Sequence, residues 1–108
     1  MLQPKIINIT SEVAGLAEGQ AKVLRLNRLR IAVIKLNDGY YAIDEICSHE
    51  EESLAGGSIS DGQIECPKHG ARFDIKTGEV KAFPAVIPIR TYPVTQKNDE
   101  IFLNIPNE

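Results

Sequence analysis

Apolar residues in this chain come in short runs, some alternating with polar positions and some unbroken. Gly, Pro, Asn or Asp ends most of them. Punctuation at that length predicts a β protein. Residues 5–9 form the first candidate strand. Residues 11–20 carry Gly15 and Gly19 and predict a loop with one helical turn rather than a lasting helix. Residues 21–27 and 30–36 are rich in Val, Ile and Leu. In the second of these, Ile31 and Val33 share one face and Ala32, Ile34 and Leu36 the other. An antiparallel strand that is apolar on both faces belongs in a closed or sandwiched sheet. Asn37-Asp38-Gly39 predicts a hairpin turn, because Asp-Gly tolerates positive φ, and residues 40–44 return as its partner strand.

The pattern changes between residue 45 and about residue 88. This stretch holds five of the eight glycines, three of the six prolines, and every Cys and His. Residues 63–66 and 71–75 are short enough to be hairpin strands, and Thr77-Gly78 predicts a tight turn. Regular β-structure resumes at residues 89–95. After a polar turn at 96–99, Ile101, Leu103 and Ile105 alternate with Phe102 and Asn104, the pattern of a half-buried strand. The expectation is a single all-β domain over residues 1–108. Small antiparallel sheets from residues 1–44 and 89–108 would make a sandwich or barrel-like scaffold. Residues 45–88 would be an irregular subdomain inserted into it, where function concentrates.

Composition narrows this picture. A chain of 108 residues has room for one domain. With 43% hydrophobic residues and a net charge of −3 it is a globular chain, not a disordered one. A slightly acidic balance argues against a nucleic-acid surface. No basic end precedes an apolar stretch near Met1, and apolar runs such as residues 31–34 are far below the roughly 20 residues of a membrane span. A cytoplasmic protein without a membrane partner is expected.

The scarce residues carry the chemistry. Cys47-Ser48-His49 is followed, after sixteen residues, by Cys66-Pro67-Lys68-His69, and these use up all the Cys and His in the chain. Each half pairs a thiolate with an imidazole at very short spacing, so two loops can converge on one inorganic centre. Positions i and i+2 face apart on a helix, which places the first pair on a loop. Gly70 lets the backbone approach closely where a Cβ would collide. A zinc site uses these ligand types, though usually as Cys-Cys and His-His halves. A Cys47–Cys66 disulfide is disfavoured by cytosolic redox poise and leaves both His unexplained. A [2Fe–2S] cluster in which two His replace two Cys on one iron accounts for all four.

The wider segment resembles the Rieske family. The likeness runs from Cys47-Ser48-His49 through Cys66-Pro67-Lys68-His69-Gly70-Ala71-Arg72-Phe73-Asp74, Thr77-Gly78 and Pro84-Ala85 to Ile89-Arg90-Thr91-Tyr92-Pro93-Val94 and the last strand. Within the family it is most similar to the small ferredoxins that feed bacterial ring-hydroxylating oxygenases. The resemblance implies the Rieske fold, one [2Fe–2S] cluster, Cys47 and Cys66 on the inner iron, and His49 and His69 on the outer iron beside the electron exit. It also implies that residues 83–88 form a proline-bearing loop over the cluster. High-potential members carry a disulfide between the loops and hydroxyls on the cluster sulfurs. Here Lys68, Ala71 and Phe73 stand at matching positions, with Glu52 at or near the fourth. That predicts a potential towards the lower end of the family's range of roughly −150 to +300 mV.

The implied function is a monomeric one-electron carrier, not an enzyme, working between a ferredoxin reductase and a terminal oxygenase. The alternatives are a small subunit of an assimilatory nitrite reductase, which shares this fold, and a structural zinc module. Asp44, Glu45, Glu50, Glu51 and Glu52 form an acidic run beside the motif. It reads either as a solvated loop or as a patch that steers a basic partner, its rim mixed by Lys68 and Arg72.

Overall fold

The computed structural model describes residues 4–26, 28–48, 52–68, 70–83 and 87–106. Eleven strands lie within them: β1 (Lys5–Asn8), β2 (Ala21–Leu26), β3 (Leu29–Leu36), β4 (Gly39–Asp44), β5 (Ile59–Ser60), β6 (Gln63–Glu65), β7 (Arg72–Asp74), β8 (Val80–Ala82), β9 (Thr91–Tyr92), β10 (Val94–Lys97) and β11 (Glu100–Ile105). They form three antiparallel sheets, ordered β1-β11-β10, β2-β3-β4-β9 and β5-β6-β7-β8. A short 3-10 helix, Leu54–Gly56, precedes β5. Among the described residues no helix is long and apolar enough to cross a membrane.

β3 is the wall between two cores. Ile31 and Val33 pack on one side with Leu24, Tyr92, Ile101 and Leu103. Ala32, Ile34 and Leu36 pack on the other with Ile64, Phe73, Ile75 and Ile89. The two-sided apolar pattern of the strand is thus a direct record of burial on both faces.

The turns differ in detail from the sequence expectation. Leu36 pairs with Gly39, so Asn37 and Asp38 are the turn residues, and the positive φ falls on Gly39 (148°) instead of within the turn. Asp61-Gly62 and Asn98-Asp99 are two-residue turns with both φ values positive (52° and 73°, 52° and 66°), the backbone twist that two-residue hairpins favour. The expected strand at 89–95 breaks at Pro93. Proline offers no N–H to a ladder, and here the chain leaves the second sheet for the first. The Pro93 carbonyl accepts the N–H of Asn104 (2.9 Å).

The middle of the chain is more regular than its composition suggested. β5 to β8 make a four-stranded sheet with its own buried face. Strands of two or three residues are too short to leave a period-two signal, which is why β5 and β8 were not expected. Between 11 and 20 the chain makes turns, with one α-type bond from Val13 N–H to the Ile9 carbonyl (3.1 Å).

Candidate metal centre

β4 and β6 each end by delivering a cysteine into a loop, and the two loops close in the same way. The N–H of Cys47 donates to the Glu52 carbonyl (2.9 Å), and the N–H of Cys66 donates to the Ala71 carbonyl (2.7 Å). In both, the bond spans five residues and sets the cysteine at the neck. The first loop is closed further below its neck. An antiparallel bridge joins Ile46 to Ser53, and Leu54 N–H donates to the Glu45 carbonyl (2.7 Å). The Ser53 hydroxyl then caps the 3-10 helix at Ala55 N–H (3.2 Å). The second loop is tightened by a turn from Gly70 N–H to the Cys66 carbonyl (3.0 Å).

Cys47 and Cys66 are 3% and 0% exposed, share one apolar core, and are not joined in a disulfide. The Cys47–Cys66 bridge considered from sequence is therefore absent. His49, His69, Glu50 and Glu51 lie outside the described residues, as do residues 84–86 of the segment expected to cover the centre. Two buried thiols, held by matched necks in two loops, are the donor chemistry an iron–sulfur cluster requires.

The acidic run is divided by the fold. Glu45 is buried and takes a bidentate contact from Arg30, Nε at 2.9 Å and Nη2 at 3.3 Å. Its own N–H donates to the Arg30 carbonyl (2.9 Å). Asp44 accepts from Arg90 N–H (3.0 Å) and the Tyr92 hydroxyl (2.6 Å). Both carboxylates therefore brace the base of the first loop. The signal for Glu45 was in the hairpin register: once Leu36 pairs with Gly39, Arg30 falls opposite Glu45. Arg72, expected on a mixed rim, pairs with Glu65 (3.1 Å).

A cleft of about 600 Å³ lies at the far ends of the same strands, lined by Leu36, Asp38, Ile59, Asp61 and Lys76 among others. Lys76 Nζ meets Asp38 Oδ2 at 2.6 Å and sits 5.2 Å from the Tyr41 ring centre. The hydrogen bond to Lys76 lowers the Asp38 pKa, and the same bond raises that of Lys76. Strand direction puts this ion pair at the end away from the cysteines.

The model of the Rieske [2Fe–2S] domain matches residues 7–93. The chain belongs to the Rieske family. It is 37% identical to the 3-phenylpropionate/cinnamic acid dioxygenase ferredoxin subunit of Escherichia coli K12, over 87% of this chain and 89% of that one. The ferredoxin of carbazole 1,9a-dioxygenase from Nocardioides aromaticivorans IC177 superposes with a TM-score of 0.80 at 32% identity, covering 97% of this chain and 99% of that one. A ferredoxin in complex with the oxygenase of carbazole 1,9a-dioxygenase gives 0.78 at 28% identity, with 85% and 95% covered. A chain provisionally named an NADH-dependent nitrite reductase small subunit from Mycobacterium tuberculosis gives 0.76 at 16% identity, a likeness of fold alone. As a Rieske domain, the protein takes one [2Fe–2S] cluster, and the buried thiols fit that group. The zinc-module reading is set aside.

Proposed function

We propose that this protein is a one-electron carrier that takes an electron from a reductase and passes it to the terminal oxygenase of an aromatic-ring-hydroxylating system. Cys47, His49, Cys66 and His69 hold the cluster, each loop contributing one thiolate and one imidazole. When bound, the cluster supplies a one-electron couple. The chain's part is to bury the thiolates, fix both loops, and leave one face open for a partner. The observation that carries the reading is the shared closure, in which a buried cysteine donates its N–H to the carbonyl five residues ahead in each of the two loops.

The protein acts as a cytoplasmic monomer. Encounters between redox partners are small and transient, and a permanent interface would slow turnover. Glu50, Glu51 and Glu52 are the part of the acidic run that remains for steering a basic partner surface. A role as a nitrite reductase small subunit has support from fold likeness only.

The test is direct. Freshly purified protein should contain about two iron and two acid-labile sulfide per chain, as the cluster's formula demands. The reduced form should give the low-average-g paramagnetic resonance signal of mixed His and Cys ligation. It should also transfer electrons between a reductase and an oxygenase of this class. Cys47→Ser and His69→Ala should each abolish the signal. One zinc per chain and no sulfide would overturn the reading.

A further inference from the structure

We propose that Ser48 is a positioning residue for electron transfer, its hydroxyl fastening the Cys47 loop to the returning segment at Ile87. This rests on the cluster lying between the two loops. The Ser48 hydroxyl donates to the Ile87 carbonyl, a contact between residues 39 positions apart. Ser48 directly follows Cys47, so the bond acts one residue from a thiolate.

Among the described residues, little else holds the chain at that point. The Ile87 side chain is 61% exposed, and Pro88 is also exposed. The next residue anchored by burial is Ile89, whose N–H donates to the Gly78 carbonyl (3.0 Å). Beyond it, the Asp44 carboxylate accepts from Arg90 N–H, and the Asp44 N–H donates to the Arg90 carbonyl (2.9 Å). Among the described residues, two side chains thus fasten the returning segment to the first loop, Asp44 below the neck and Ser48 above it. Asp44 ties the segment to the scaffold. Ser48 is placed to limit movement of the loop itself and the entry of water beside Cys47. Water favours the more highly charged, reduced state, so loosening this contact raises the reduction potential.

An isosteric pair tests it. Ser48→Thr keeps the hydroxyl, and Ser48→Val replaces it with a methyl group of the same shape. The threonine variant should match wild type in potential and in the rate of amide exchange around Ile87. The valine variant should keep its iron and sulfide. It should exchange about fivefold faster at the amides of Ile87 and Ile89, the factor expected for one lost hydrogen bond, and should show a raised potential. If the two variants share one potential and one exchange rate, or both fail to hold the cluster, the hydroxyl is not the anchor and the proposal falls. Wild-type protein that lacks iron and sulfide would instead overturn the carrier function on which the proposal rests.

Discussion

The two cores on either side of β3 are made of different material. The core that holds Ile31 and Val33 is almost wholly aliphatic and gathers β1, β10 and β11, segments from opposite ends of the chain. The core that holds Ala32 and Ile34 takes in Cys47, Cys66 and Ala71 from the two cysteine loops, together with Phe73 of the third sheet and Ile75 just after β7. One core is closed by aliphatic side chains and the Tyr92 ring. The other places among the side chains that close it the two thiols proposed as cluster ligands. On that reading, folding and loading should be coupled on one side of β3 and largely independent on the other.

Removing the cluster should break the comparison most visibly. Amide protection at residues 64–75 should fall by at least ~100-fold relative to that at residues 100–105, because metal-binding free energy appears as folding free energy only where the ligands sit. Hydrogen exchange of cluster-free protein measures it, and uniform loss across both cores would contradict the division. The four-stranded third sheet makes this a local loosening, not the collapse that a loop-only insertion would suffer.

Adjacent glycines give the next largest effect. A Cβ on Gly57 would sit 1.8 Å from the Glu65 carbonyl oxygen, just before Cys66, whereas a Cβ on Gly56 meets nothing within 4 Å. Gly57→Ala should cost about 2–4 kcal/mol and reduce cluster content, while Gly56→Ala should stay within about 0.5 kcal/mol. Denaturant titration and iron analysis of the pair check this.

A hydroxyl can be placed in each core in turn. Ala71 is fully buried beside the thiols, and Ala42 is buried on the scaffold side. A donor near the cluster sulfurs stabilises the reduced form by roughly 1–2 kcal/mol more than the oxidised form. Ala71→Ser should then raise the potential by on the order of 40–90 mV, and Ala42→Ser should leave it unmoved. Voltammetry of both variants sharpens the contrast between the cores.

The smallest effect belongs to the Asp38–Lys76 pair, which joins the scaffold hairpin to the third sheet at the end away from the cysteines. The carboxyl lies below its ordinary value of 3.8, so its contribution is full above that pH and is lost as pH falls through the lowered value. The amine lies above 10.5, so its contribution is full below that pH and is lost as pH rises through the raised value. Both groups are exposed, so salt should weaken the effect. Asp38→Asn should flatten the acid limb of the stability curve slightly and leave the visible spectrum unchanged.

Much of this molecule was legible in the sequence, because much of it is local. The alternation in residues 101–105 and the double-faced pattern of β3 register burial one residue at a time. The Cys-x-His and Cys-x-x-His spacings carry the family within a few residues of chain. What the tertiary structure alone decided lies between residues distant in sequence. Glu45 looked like surface charge until it met Arg30, and Asp44 until it met Tyr92, 48 residues away. Pro93 read as one more strand residue until the chain changed sheets there. The two- and three-residue strands of the third sheet leave no periodic trace, since their pairing depends on neighbours folded beside them. The matched necks of the two loops and the Ser48–Ile87 bond have the same cause. Local steric preference and burial write a pattern along the chain, whereas a hydrogen bond across a closed fold depends on where two distant backbones come to rest.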